Sequence, residues 1–182
     1  MTREAGLEAT VPGTFLVVAG LGILLTGPSA IGKSELALAL LDRGHALVAD
    51  DATTLVAAPQ TLWGHCPPPL RRLLLVRDVG VVDVVERFGP AAWVAHCPLA
   101  GVIALHHRLA PRRRIALGGV RGQRRLLGHK VPRLHLVMAP QRPMALVVEC
   151  AAANLVPRPS ADRPDARLLG RLAAGEPQPL WE

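Results

Sequence analysis

The chain has no tyrosine, two phenylalanines and three tryptophans, so aromatic residues make up 3% of its 182 residues. Its core must be filled by Leu, Val, Ala and Ile rather than organised round stacked rings. The same scarcity removes the platforms on which single-stranded nucleic acid stacks. The net charge is +7, but the excess gathers in Arg112–Arg114 and Arg121–Arg125 with no ring between them. Nucleic-acid binding is therefore not expected. The cysteines, Cys66, Cys97 and Cys150, are odd in number and form no C-x-x-C, which argues against a disulfide framework. His65-Cys66 and His96-Cys97 are neighbours that point apart on a strand, which argues against zinc. The longest apolar stretch, Leu16 to Leu25, is shorter than the roughly 20 residues that span a bilayer. Arg3, Glu4 and Glu8 interrupt the start, so no signal peptide is expected. These absences point to a cytoplasmic protein without membrane insertion. Lysine is also nearly missing: Lys33 and Lys130 stand against nineteen arginines.

Lys33 lies in the run Gly27-Pro28-Ser29-Ala30-Ile31-Gly32-Lys33-Ser34, which fits the phosphate-binding pattern G-x-x-x-x-G-K-[ST]. An apolar, β-branched run precedes it and a good helix former follows, the strand–loop–helix context that the pattern needs. Glycines let consecutive N–H groups approach phosphate oxygens, and the helix N-terminus adds a positive dipole end. Lys33 supplies a point charge, and the Ser34 hydroxyl can ligate Mg²⁺. All eight residues are candidate nucleotide contacts. Seventeen positions past Lys33, the apolar run Ala46–Ala49 ends in Asp50-Asp51. A buried strand that delivers two carboxylates at its C-terminal end places them where open α/β sheets bind ligands. One can serve a metal and the other can take a proton from an attacking hydroxyl, the division that phosphoryl transfer requires.

With half its residues apolar, the chain can bury a sizeable core. The expected fold is an α/β domain over residues 1–154, a P-loop-containing mixed sheet of six or more strands with packed helices. Residues 155–182 read as a Pro/Arg-rich tail with one short helix, Arg163 to Ala174. Residues 1–13 read as a polar lead-in. Strands are expected at Phe15–Val18, Leu21–Leu25, Ala46–Ala49, Thr53–Ala57, Val79–Val85, Ala100–His107, Leu134–Met138 and Met144–Val148. Helices are expected at Gly32–Asp42 and Glu149–Asn154, with a short one starting over Leu70–Leu75. Pro111 to Gly128 reads as basic and turn-rich. Arg77 and Arg125 are further phosphate-contact candidates. Arg133 reads as a brace for the acidic site or for a subunit contact, and Glu149 as a cap or ion-pair partner. Glu35 reads equally as a partner of a basic group or, through water, of Mg²⁺, and as a first-turn acid favoured by the helix dipole.

Four blocks in order resemble the bacterial HPr kinase/phosphorylase family. They are the loop with Glu35-Leu-Ala-Leu, Arg43 to Asp51, Leu73 to Val84, and Lys130-Val-Pro-Arg-Leu134 with Pro140 to Asn154. The resemblance implies a fold related to phosphoenolpyruvate carboxykinases. It implies ATP and Mg²⁺ as cofactors, and a serine of an HPr-type phosphocarrier of the sugar phosphotransferase system as the acceptor. It also implies removal of that phosphate by phosphorolysis and a homo-oligomer, usually a hexamer. By it, Asp50 and Asp51 take the general-base and metal-side roles, with Ser34 and Asp51 as metal ligands and Arg142 near the reacting phosphate. The chain looks like the short form that consists of the catalytic domain alone. It departs from the family pattern at Pro12, where a histidine is common, at Leu75, where an acid is common, and at Gln141 and Pro143. An active serine kinase and a degenerate nucleotide-binding regulator both fit these residues.

Overall fold

The computed structural model describes residues 7–109 and 119–156, with Arg167, Leu168 and Ala173 besides. Within them lie eleven strands: β1 (Glu8–Pro12), β2 (Thr14–Val18), β3 (Leu21–Thr26), β4 (Ala46–Ala49), β5 (Ala52–Ala57), β6 (Leu62–His65), β7 (Leu73–Val76), β8 (Gly80–Asp83), β9 (His96–His106), β10 (Val120–Leu126) and β11 (His129–Val137). Three α-helices accompany them: α1 (Lys33–Asp42), α2 (Val84–Phe88) and α3 (Met144–Leu155). The result is a mixed α/β fold with a large mixed sheet and few helices.

The main sheet runs β4-β2-β3-β9-β11-β10, with β3–β9 and β9–β11 parallel and the other pairs antiparallel. A second run, β1-β5-β6, is antiparallel and joins the start of β9, so β9 belongs to both. Nine strands are thereby connected, and β7–β8 form a separate hairpin. Two apolar clusters lie on opposite faces of the main sheet. One joins Leu16, Ile23, Leu25, Ile103 and Leu105 to Leu36 and Leu40 of α1 and to Val148 and Ala152 of α3. The other joins Phe15, Leu24, Val48 and Val102 to Leu55 of β5 and Leu62 of β6. Alternate residues of β2 and β3 thus serve different cores, which is why these strands read as continuous apolar runs. Phe15 is fully buried between two glycines, and a Cβ added at Gly64 would overlap its ring.

Several expectations need correction. Residues 8–12 form β1 rather than a lead-in, because they pair with β5 from Glu8↔Val56 to Pro12↔Ala52. Leu62–His65 is a strand that the sequence did not announce. Leu73–Val76 is strand β7 rather than part of the short helix expected to start over Leu70–Leu75. The strand expected to run to Val85 stops at Asp83, whose carboxylate accepts from the Val85 and Glu86 amides and starts α2. Met144–Val148 is not a strand: α3 is one helix, and its apolar residues Met144, Val148, Ala151, Ala152 and Leu155 face the core at helical spacing. Residues 120–126 form a strand inside the stretch that read as turns. Arg112–Arg114 and most of the helix expected over Arg163–Ala174 lie outside the described residues.

Candidate functional site

β3 ends at Thr26 and α1 begins at Lys33, so Gly27–Gly32 must turn the chain from sheet to helix. Ala30 (φ 61°) and Gly32 (φ 94°) take left-handed conformations to do so. Gly27 has no room for a side chain, since a Cβ there would lie 2.9 Å from the Leu105 carbonyl oxygen. Buried Ile31 pins the loop to the helical core. The loop closes on itself, with the Ile31 amide donating to the Pro28 carbonyl (3.4 Å) and Lys33 Nζ donating to the same oxygen (3.3 Å).

β4 delivers the two carboxylates differently. Asp50 is buried. Thr14 Oγ1 donates to its Oδ1 (2.8 Å), and the Leu75 amide (3.2 Å) and Ser34 Oγ (3.5 Å) donate to Oδ2. Burial pushes its pKa up, the Thr14 hydrogen bond opposes this, and the nearby Asp51 charge adds to the rise. Asp51 is exposed and left-handed (φ 56°), a conformation that Asp tolerates better than most residues. It sits at the apex of a three-residue turn closed by the Ala52 amide on the Asp50 carbonyl (2.6 Å). The turn aims one carboxylate into the protein and the other out of it.

Two clefts flank the loop. One, of about 620 Å³, is lined by Gly27, Pro28, Ser29, Lys33 and Asp51 on one side and by His106, Arg124 and Arg133 on the other. Pro12 and Gly13 close its end. The other, of about 380 Å³, takes in Ser34, Glu35, Leu75 and Arg77. Ser29, Lys33 and Asp51 line both. Every residue of Gly27–Ser34 but Ile31 lines these clefts with Asp51, whereas Asp50 lines neither and meets the loop through Ser34 Oγ. The Ser34 hydroxyl reaches Asp50 rather than Asp51. Arg142 lines a third cleft with Ile31, Gly32, Glu35 and Met138, of which Gly32 and Glu35 also line the second. The sequence did not single out Thr14, His106 or Arg124, which reach the site from other strands through long-range pairing.

At the opposite end of α1, Arg43 Nη2 donates to Glu149 Oε2 at 2.9 Å, and His45 Nε2 lies 2.9 Å from Oε1. The Glu149 pKa falls to about 2, chiefly through the Arg43 and then the His45 hydrogen bond. The expected ion-pair role of Glu149 is the one observed, although the residue lies within α3 rather than at its start.

A mixed α/β domain with two carboxylates and one lysine gathered at the loop before its first helix is the class that this geometry defines. The chain belongs to the family described as the HPr serine kinase C-terminal domain, whose model matches residues 4–170. It is 40% identical over 157 residues to an HPr kinase/phosphorylase of Bordetella petrii, covering 85% of this chain and 50% of that protein. It is 38% identical over 158 residues to an HPr kinase/phosphorylase of Burkholderia cenocepacia, covering 86% and 48%. The chain thus spans about half the length of the curated relatives it matches. The solved Hpr(Ser) kinase/phosphatase of Coxiella burnetii superposes with a TM-score of 0.72 at 33% identity, covering 80% of this chain and 95% of that one. Among the described residues no helix is long and apolar enough to cross a membrane.

Proposed function

We propose that this chain is an ATP-dependent serine kinase domain that acts on an HPr-type phosphocarrier in phosphotransferase-system regulation. The observation that carries the reading is that Lys33, Ser34 and Asp51 line clefts beside one glycine loop while buried Asp50 accepts from Ser34. The loop amides and Lys33 hold the β- and γ-phosphates of ATP. The donor set fits Mg²⁺. The hydrogen-bond partners of Asp50 are a threonine, a serine and an amide, all neutral, so a cation would offset the cost of its burial. Ser34 and Asp50 would hold the ion, which when bound neutralises charge on the transferring phosphoryl group. Asp51, exposed and shared by both clefts, then takes the proton from the acceptor serine. Asp50 thus takes the metal side and Asp51 the base, the reverse of the metal assignment that the resemblance implies. Arg142 lines an adjoining cleft that shares Gly32 and Glu35 with the second, which supports a role near the reacting phosphate. Removal of the phosphate by phosphorolysis would use the same groups in reverse. A homo-oligomer is expected from the resemblance to the family.

The test is transfer of label from ATP to the serine of the cognate HPr-type carrier in the presence of Mg²⁺. Labelled carrier with the natural chain, and none with Lys33→Ala, is the expected result. Nucleotide bound in a Lys33-dependent way with no carrier labelled would reject the kinase and leave a nucleotide-sensing regulator. The exposed aliphatic chain of Leu75 beside Ser34 favours that second reading, because it adds no metal ligand.

A further inference from the structure

The corner where β1 passes into β2 holds the turn that carries both aspartates. The Gly13 amide donates to the Asp51 carbonyl (3.2 Å), Thr53 Oγ1 donates to the Gly13 carbonyl (3.0 Å), and Thr14 Oγ1 donates to Asp50 Oδ1 (2.8 Å). Register accounts for the last of these. Phe15 pairs with Ala49 in the β2–β4 ladder, so Thr14 stands opposite Asp50 just beyond its end. Opposed residues share a face. Thr14 and Thr53 are fully buried and Asp50 is buried beside them, so water does not compete for these bonds. The corner has little room to shift towards β3, because a Cβ at Gly13 would lie 2.7 Å from the Leu25 carbonyl oxygen.

This hold divides the Asp50 carboxylate into two unlike oxygens. Oδ1 is taken by Thr14, whose single hydroxyl proton is committed to it. Oδ2 lies on the side of the glycine loop, where Ser34 Oγ (3.5 Å) and the Leu75 amide (3.2 Å) donate to it. A valine would fill the same space as Thr14, so the hydroxyl is what distinguishes the residue chemically. A carboxylate held in this way offers a cation one oxygen rather than two. That difference separates the hard cations. Mg²⁺ demands a near-ideal octahedron, which the narrow bite of a two-oxygen carboxylate distorts. Ca²⁺ takes about six to eight oxygens in a flexible shell and accepts both oxygens of one carboxylate.

We propose that Thr14 is a positioning residue for the metal: by holding Oδ1 it makes Asp50 a one-oxygen ligand and sets the site for Mg²⁺ over Ca²⁺. Fully buried, Thr14 acts through Asp50 and not on the nucleotide itself. The inference rests on the reading that Ser34 and Asp50 hold the ion, and it deepens that reading by naming the residue that sets which ion they take.

Binding of labelled ADP to the full chain, read while Mg²⁺ or Ca²⁺ is titrated, tests it by giving the half-saturating concentration of each ion. Thr14→Val raises the Mg²⁺ requirement about tenfold or more, the size usual when the partner of a metal-ligating group is removed. It raises the Ca²⁺ requirement by less, so the preference for Mg²⁺ shrinks. Thr14→Ser keeps the hydroxyl and the natural ratio. Thr14→Ala differs from the serine variant only in lacking that hydroxyl, and it behaves as the valine variant does. The serine and alanine pair decides the matter even where the valine variant fails to fold. A Mg²⁺ requirement in Thr14→Val equal to that of the natural chain, or a rise equal for both ions, overturns the proposal. So does a ratio that serine and alanine shift alike, since Thr14 then serves packing alone. ADP binding to the natural chain that neither ion affects overturns the placing of the metal at Ser34 and Asp50, and the inference with it. No ADP binding under any condition rejects the kinase reading itself.

Discussion

Helix α1 joins two regions that treat charge in opposite ways. At its C-terminal end, Glu149 is closed between Arg43 and His45, and its pKa is held near 2. At its N-terminal end, Asp50 is buried among neutral donors and its pKa is pushed up, while Asp51 stands exposed between two clefts. The first arrangement satisfies its charges inside the chain and ties α1 to α3. The second leaves carboxylates to be satisfied by something that binds. A perturbed carboxylate in a cleft points to function, whereas one matched by its own cations points to structure.

Substitutions at the two ends should therefore separate activity from stability. The largest effect is expected from Asp51→Asn, which removes the proposed base and lowers carrier phosphorylation by about 10²–10⁴-fold, with the melting temperature nearly unchanged. Steady-state label transfer and thermal unfolding on one preparation check both halves. Asp50→Asn comes next. It should lower activity strongly but leave the fold as stable as the natural chain, or more so, at neutral pH. The sign follows from the raised pKa. Protonated Asp50 favours the folded state, that contribution fades as the pH climbs through the folded pKa, and asparagine resembles the neutral form. An Asp50→Asn chain markedly less stable at pH 7 than the natural one would break the comparison.

Glu149→Gln should do the reverse. Its folded pKa is depressed, so the ion pair contributes above the unfolded value near 4.5 and that contribution is lost as the pH falls towards 2. The variant should melt below the natural chain at pH 7, the gap should close between about pH 4.5 and 2, and activity per folded molecule should stay the same. The size of the gap should be modest, because the pair is partly exposed.

The two ends also differ in how far the sequence discloses them. β2, β3, β4 and α1 could be read directly, because strands buried on both faces give unbroken apolar runs and glycines bound them. Lys33, Asp50 and Asp51 followed from that frame. The polar edge strands did not. β1 alternates exposed and half-buried residues, and β10 is largely arginine and glycine; both exist because of their partners in space. Pro98 and Pro132 sit inside β9 and β11, where a proline reads as a break, so both strands seemed shorter than they are. Met144–Val148 misled for another reason: five apolar residues without a polar interruption suit a buried strand and a buried helix equally. His106 and Arg124 went unseen because they meet Arg133 only through the register of three strands.

The placement of β9 also sets an order of assembly. Its first residues pair with β6, its middle with β3 and its end with β11. During synthesis neither sheet can close until about residue 106 has left the ribosome, and β2, β3 and β4 wait until then with an open edge. Non-local, parallel pairings of this kind form slowly. A nascent chain halted before β9 would present β3 as a bare apolar edge, so truncation there is the point at which aggregation or chaperone capture should begin.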